Sequence, residues 1–506
     1  MMLRSWPLPW KIQRSSSRPG NNCQALNEIA KSTIRSRNMH IRRLFEPIIC
    51  EYCILLNQCL FDDIMALINI KVVCSMFRKI NQNLIDWKNK KNHMPLVLFG
   101  ARQVGKTYTL KEFASQNYAN SVCVSLEADT YIVDEINKDI RPQTILRALS
   151  DYSGQVIIPG KTLIILDEVQ SCERALTALK YFTEQQPEYD IIAAGSLLGV
   201  AINRNQYSFP VGKVEVLRLY PMDFEEYLIA LGKKDRSDRI RAAFLAQTEM
   251  PGFIHDELIK DYRDFLLCGG MPAVVQQYIS DRDHQQASSV ATNIITQYLA
   301  DMTKYCGAAE SVKIRMAYDS IPTQLAKENT KFQYSVAKKG ASASYFGSSI
   351  DWLLASGTVL QCRKINQGYF PPASYLDMAA FKLYLSDTGL LSARVQATPA
   401  VVSGRTKSVA GFRGNLTENY VACALASNQH ELFYWESDGK AEIDFVIAKD
   451  GATIPIEVKA ADNTKSKSLQ VFINRYEPPY AIRLSGRNFG FSNNIMSLPL
   501  YAAFLI

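Results

Sequence analysis

The chain has 506 residues, 47% hydrophobic and 21% charged, the balance of a soluble globular protein with room for roughly three domains. Its formal charge of +8 is uneven: residues 1–75 hold ten Lys/Arg against five Asp/Glu, leaving +3 for the remainder. Charge alone therefore gives no argument for nucleic-acid binding, and the scattered cysteines, with a lone Cys50-x-x-Cys53, give none for a zinc site.

Residues 1–75 differ from the rest. Met1–Arg43 is rich in Arg and Ser and poor in acids, like a transit peptide. Ile48–Val73 is apolar but broken by Glu51, Asn57, Gln58, Asp62 and Asp63, so it falls short of the ~20 apolar residues of a membrane span. The segment reads either as a disordered or misassigned leader, with Met76 as the working start, or as an N-terminal accessory segment. From Met76 the pattern becomes regular: Phe77, Ile80, Leu84, Ile85 and Trp87 share one helical face.

Leu96–Phe99 reads as a buried strand, and the next eight residues, Gly100, Ala101, Arg102, Gln103, Val104, Gly105, Lys106 and Thr107, fit the phosphate-loop pattern G-x-x-x-x-G-K-T. The glycines let backbone N–H groups curl round a β-phosphate. Lys106 would place a charge on the β- and γ-phosphates. Thr107 would open a helix and offer its hydroxyl to Mg²⁺. Tyr108–Tyr118, with Leu110, Phe113 and Ala114 at helical spacing, supplies that helix.

A second strand is expected at Ser121–Leu126, and a third at Thr162–Leu166 running into Asp167 and Glu168. A buried parallel strand puts its carboxyl end at the nucleotide crevice, so Asp167 would hold Mg²⁺ through water and Glu168 would polarise the attacking water. A fourth strand, Asp190–Ala194, leads into Gly195-Ser196. Ser196 would sense the γ-phosphate or orient the water; alternatively it caps a helix. Val214–Leu219 makes a fifth strand, and Pro221–Leu228 a short helix capped by Asp223. Strands alternating with helices over 94–230 imply an α/β fold around a parallel sheet.

The order GARQVGKT, LIILDEVQ, AAGSLLGV, SFPVGKV and LYPMDFEEYL resembles prokaryotic AAA-type P-loop ATPases whose AAA domain precedes a restriction-nuclease-like region, the domain of unknown function 4143. The likeness continues through Gly269-Gly270-Met271-Pro272 and Tyr298–Tyr305, and covers about residues 76–506. It implies ATP binding with Mg²⁺ and leaves the cellular role open. In AAA-type ATPases a neighbouring copy often supplies a cation to the γ-phosphate; Arg204, Lys213 and Arg218 are candidates, and a homo-oligomer is the arrangement that would use them.

Residues 231–310 read as a helical lid or connector, with Lys233–Arg241 as a surface loop or helix start. Residues 311–370 suggest a winged helix: one helix beginning at Ser320–Ala326, a second at Tyr345–Ala355 with Phe346, Ile350, Leu353 and Leu354 inward, and a wing strand at Gly357–Arg363. Lys327, Lys331, Lys338 and Lys339 would contact double-stranded DNA phosphates, or the module would dock a protein.

Residues 371–506 carry a second constellation: Glu418 on a helix, Asp444 on a strand, and Glu457 and Lys459 on one face of the next strand. Restriction-type nucleases build a Mg²⁺ site this way. Asp444 and Glu457 would be ligands, Glu418 an outer ligand, and Lys459 would position or deprotonate water. The overall expectation is a cytoplasmic ATPase that switches conformation on ATP hydrolysis and is linked to DNA or a protein partner. The alternatives are a Mg²⁺-dependent DNA nuclease gated by ATP, and an ATP-gated docking module without significant turnover.

Overall fold

The structure is a computed structural model describing residues 76–506 apart from 197–208, 305, 328–329, 405–406, 438–440 and 461–466. The leader, the Cys50/Cys53 pair and Arg204 lie outside the described residues. The first sheet is built from β1 (Leu96–Phe99), β2 (Asn120–Ser125), β3 (Thr162–Asp167), β4 (Asp190–Gly195) and β5 (Glu215–Arg218). All are parallel, in the order β2-β3-β4-β1-β5. Successive side chains on a strand point to opposite faces, and the sequence is apolar at both parities, so both faces must be covered. Leu96, Leu98, Leu163, Ile165, Ile192 and Ala194 pack on one side. Val97, Ile164, Leu166, Ile191 and Ala193 pack on the other.

The helices follow from the same patterning. Helix α1 (Ile80–Asn89) buries Ile80, Leu84 and Trp87, and α2 (Lys106–Asn117) buries Leu110, Phe113 and Ala114. Phe77 is exposed, because the helix begins only at Ile80. The second face is covered by α3 (Thr130–Lys138), α4 (Pro142–Ser153) and α5 (Glu173–Gln185). A short α6 (Phe224–Ala230) is closed by a capping box, with Asp223 accepting from the Glu226 N–H and Glu226 reaching back to the Asp223 N–H.

Next come α7 (Lys234–Ala246), α8 (Gly252–Cys268), α9 (Pro272–Asp281) and α10 (His284–Lys304). Lys233–Arg241 is therefore mostly helix, held where Lys233 and Arg236 both pair with the buried Asp261. Among the described residues no helix is long and apolar enough to cross a membrane.

In the region expected as a winged helix, α11 runs over Ala308–Leu325, followed by α12 (Tyr334–Ala337) and α13 (Ala343–Ala355). Ser320–Ala326 ends a helix rather than beginning one: Pro322 sits in the last turn of α11, not at a first position. Helix α13 buries Phe346, Ile350 and Leu353 as its spacing predicts. Strand β6 (Val359–Ile365) then pairs antiparallel with β7 (Leu376–Leu385) and parallel with β8 (Phe433–Ser437). The wing position is thus an interior strand of a second, mixed sheet, and the β6–β7 hairpin straddles the boundary expected at residue 370. That sheet adds β9 (Ala441–Lys449), β10 (Ala452–Val458), β11 (Ala481–Ser485), β12 (Gly490–Ser492) and β13 (Ile495–Pro499), in the order β12-β13-β11-β10-β9-β8-β6-β7. Helices α14 (Thr388–Arg394), α15 (Pro399–Ser403), α16 (Lys407–Ser427) and α17 (Lys467–Tyr476) complete it.

Residues 76–506 form one unit, and its parts meet backbone on backbone. The Met222 N–H donates to the Gly270 carbonyl at 2.7 Å, and the Gly270 N–H donates to Asp387 Oδ2 at 2.6 Å. Asp387 Oδ1 accepts from the Leu390 N–H and caps α14. Burial pushes the Asp387 carboxyl up to about 6, against the pull of those N–H groups. There is no room for a side chain at this crossing: a Cβ on Gly270 would lie 1.8 Å from the Met222 oxygen, and one on Gly389 would lie 2.1 Å from the Cys268 oxygen.

Gly270→Ala is therefore expected to lower unfolding free energy by more than about 3 kcal/mol. Gly347→Ala, on α13 with open space around its Cβ, is expected to raise it by up to about 1 kcal/mol. Urea titration of both variants checks the contrast.

Candidate functional site

The phosphate-loop pattern lies where its neighbours in sequence put it, between the carboxyl end of β1 and the start of α2. Gly105 takes φ +93° as the residue before that helix, a conformation few side chains tolerate. Lys106 turns back over the loop, its Nζ donating to the carbonyl oxygens of Gly100 at 2.8 Å and Ala101 at 2.9 Å. Burial pulls the ammonium down to about 8, while Glu168 and Asp167 pull the other way.

The acids at the end of β3 take separate positions. Thr107 Oγ1 donates to Asp167 Oδ2 at 2.5 Å, across 60 residues of sequence. Asp167 Oδ1 accepts the Glu168 N–H at 3.0 Å. Glu168 itself has φ +51°, in the left-handed region. Its Oε2 accepts from Gln170 Nε2 at 2.5 Å and from Ser196 Oγ at 3.3 Å. Lys106, Thr107, Asp167, Glu168 and Ser196 are thus brought together. Of the candidate cations, Lys213 is engaged at 2.9 Å by Glu184 on the surface, and Arg218 is exposed on the edge strand β5.

Several residues around the loop carry no motif. Arg78 is 3% exposed. Its guanidinium donates to the carbonyls of Val104 and Tyr220, both at 2.6 Å, and to Glu226 at 3.2 Å, so it ties the loop to the capping box of α6. Helix α10 lies across the other side. Asp301 pairs with Arg102, Gln297 with Gln103, the Tyr298 hydroxyl donates to the Arg102 carbonyl at 2.9 Å, and Lys304 pairs with Glu127 at 2.6 Å. Their partners Arg102, Gln103, Val104, Tyr220 and Glu226 lie in quoted motifs, and Tyr298, Asp301 and Lys304 in the Tyr298–Tyr305 stretch, but nothing in the sequence singled out Arg78 or Gln297.

The C-terminal set is drawn close but differently bonded. Glu418 Oε1 accepts from Tyr384 at 2.5 Å and from Lys382 at 3.1 Å, and Lys382 Nζ also reaches Glu442 at 2.6 Å. Lys382 is almost wholly buried and escaped the sequence reading because it looks like one charge in an apolar strand. Asp444 Oδ2 accepts the Val458 N–H at 2.7 Å; burial and the nearby Glu418 charge push its carboxyl up. Glu457 pairs with Lys459 at 2.8 Å, although β10 ends at Val458 and Lys459 lies one residue beyond it. Among the described residues no three His, Cys, Asp or Glu side chains are grouped so as to hold a metal ion. Glu418 has Lys382 and Tyr384 as its hydrogen-bond partners, and its charge lies near enough to Asp444 to raise that carboxyl.

Comparison with known proteins agrees in outline. Residues 92–228 match the family described as an AAA domain, 259–400 a domain of unknown function, DUF8612, and 413–502 a domain of unknown function, DUF4143. No curated protein matches the chain. Among solved structures, it is similar to a Walker-type ATPase of Pyrococcus abyssi (15% identity, 63% of this chain and 96% of that one, TM-score 0.40). It is also similar to the Aeropyrum pernix ORC1 protein in complex with DNA (12%, 65% and 94%, 0.25) and to AMPPCP-bound DnaA from Aquifex aeolicus (11%, 55% and 86%, 0.24). The chain thus carries an AAA-type P-loop domain followed, at its C-terminus, by a DUF4143 domain. The DUF8612 match takes in residues 259–310 of the segment read in sequence as a lid, all of that read as a winged helix, and 30 residues beyond it.

Arg78→Met leaves Glu226 buried without its cation and frees the Val104 carbonyl. It is expected to cost about 3–5 kcal/mol, and the double change Arg78→Met/Glu226→Met less than the sum of the single changes. Denaturant unfolding of the four proteins measures the coupling.

Proposed function

We propose that this chain binds ATP at Gly100–Thr107 and hydrolyses it, using the reaction to move helix α10 against the phosphate loop. The observation that carries this reading is the 2.5 Å Thr107–Asp167 contact with Glu168 held apart from it by Gln170 and Ser196. It supplies two oxygen donors for a cation and a separate carboxylate for a proton.

A hydroxyl and a carboxylate suit Mg²⁺, which takes few protein oxygens and keeps its waters. Thr107 and Asp167 would hold it, and when bound it would neutralise charge on the β- and γ-phosphates. The chain's own groups do the rest. The backbone N–H groups of the loop cradle the phosphates and Lys106 adds a positive charge. Glu168 accepts a hydrogen bond from the attacking water and aligns it on the γ-phosphorus, while Ser196 and Gln170 fix its rotamer. Positioning and charge stabilisation, not covalent chemistry, lower the barrier.

The output runs through α10. Arg102 sits inside the phosphate loop and is paired with Asp301, so negative charge entering the loop competes for the guanidinium. That competition changes how α10 is held, and through it the C-terminal half that a DNA or protein partner would meet.

Lys106→Ala is expected to lose both ATP binding and phosphate release. Glu168→Gln is expected to keep binding while release falls by roughly 100-fold or more. Tight binding with no release in the unaltered protein would replace hydrolysis by an ATP-gated docking role. Asp301→Asn removes the competitor for Arg102 and is expected to tighten ATP binding by up to about fivefold. Titration with a fluorescent ATP analogue reads this, and unchanged affinity would remove α10 from the switch.

A further inference from the structure

A cavity of about 310 Å³ lies far along the chain from the phosphate loop, at the carboxyl edge of the second sheet. Strands β10, β11 and β13 are parallel to one another. Ala460, Gly486 and Leu500, which line the cavity, each follow within two residues of the end of one of these strands. Ligands of open α/β sheets sit outside such strand ends, where the chain turns away and leaves a crevice. The opposite wall comes from α8, α15 and α16.

The chemistry of the lining is one-sided. Arg263 and Arg413 both contribute, with the hydroxyls of Tyr262, Thr417 and Ser403. Among the described residues of the lining none is acidic, and neither arginine is paired with a carboxylate. Arg413 spends one N–H on the Gly404 carbonyl at 3.0 Å, but its buried Nε has no hydrogen-bond partner. The Tyr262 hydroxyl donates to Thr417 Oγ1 at 3.3 Å and feels both guanidinium charges. Arg413 is half-buried and Arg263 is open to water, so together they offer an entering anion one partly desolvated guanidinium and one reachable from solvent. Ile259, Leu266 and Val402 supply an apolar wall beside the charges. The volume falls at the lower end of the range for small-molecule sites.

We propose that this cavity binds a small phosphorylated compound, its phosphate between Arg263 and Arg413 and its less polar part against the wall of α8 and α15. The site is separate from the phosphate loop, and the proposal stands whether or not ATP is hydrolysed there.

The test is calorimetric titration of the full-length Lys106→Ala protein, in which the phosphate loop no longer competes, with AMP and with inorganic pyrophosphate as probes. A single site is expected for AMP. Adding Arg413→Gln should weaken it at least tenfold, and adding Arg263→Gln should weaken it severalfold. Melting temperatures establish that each variant folds; Arg263 is exposed, so its variant keeps the test readable if Arg413→Gln does not fold. Absence of AMP binding, or binding indifferent to both arginines, overturns the proposal. Pyrophosphate binding with no AMP binding overturns it as well, leaving a bare anion site in its place. A short single-stranded DNA that binds through the same arginines while AMP does not would assign the cavity to a nucleic-acid backbone instead.

Discussion

The structure depends on a close crossing of backbones at Met222, Gly270 and Gly389, with the Asp387 carboxylate as the one side chain bonded into it. Gly100 begins the phosphate loop directly after β1, whose Phe99 carbonyl accepts from the Leu219 N–H at 2.7 Å. Three residues on, Met222 bonds to Gly270, and Gly270 bonds to Asp387. The nucleotide loop, the helical region and the C-terminal sheet are thus joined through a short series of hydrogen bonds and steric contacts. Close packing of this kind is stiff, because a shift of a few tenths of an ångström at one member must be passed to the next. A buried carboxylate at the centre, answered by backbone N–H groups, fixes the geometry further than apolar contact would.

Around this crossing the phosphate loop is gripped from two sides by different forces. Arg78 holds it from below through hydrogen bonds in a dry environment, where breaking one partner leaves a charge stranded. Helix α10 holds it from above through pairs that are partly open to water, which are weaker and exchange more readily. The difference in burial separates a desolvated anchor from a contact partly open to water.

The C-terminal sheet keeps its polar groups in two places with opposite character. Near β7 and β9, carboxylates and the buried Lys382 answer one another. At the carboxyl ends of β10 and β11, arginines face a cavity with hydroxyls and no acid among the described residues. The first joins charges of opposite sign in one network, whereas the described lining of the second offers positive charge and hydroxyls alone.

The sequence by itself determined the local elements and the chemistry at their ends. Residues 96–107, 162–168 and 190–196 read as strand, loop and acid positions because apolar runs, glycine spacing and terminal polar groups are local properties, and the structure has strands at each of these places. The buried face of helix α13 followed from periodicity alone. What tertiary structure decided were the long-range meetings. Ser320–Ala326 reads as the start of a helix because its own residues say nothing of a helix already under way from Ala308. The wing strand became interior to a sheet because pairing partners 70 residues later cannot be read from its own pattern. Glu418 bonds Lys382 and Tyr384 because β7 lies against α16, which no spacing along the chain encodes. The roles of Arg78, Asp301 and Asp387 are likewise set by which partner lies opposite them, and a charged or capping residue in a linear sequence does not name its partner.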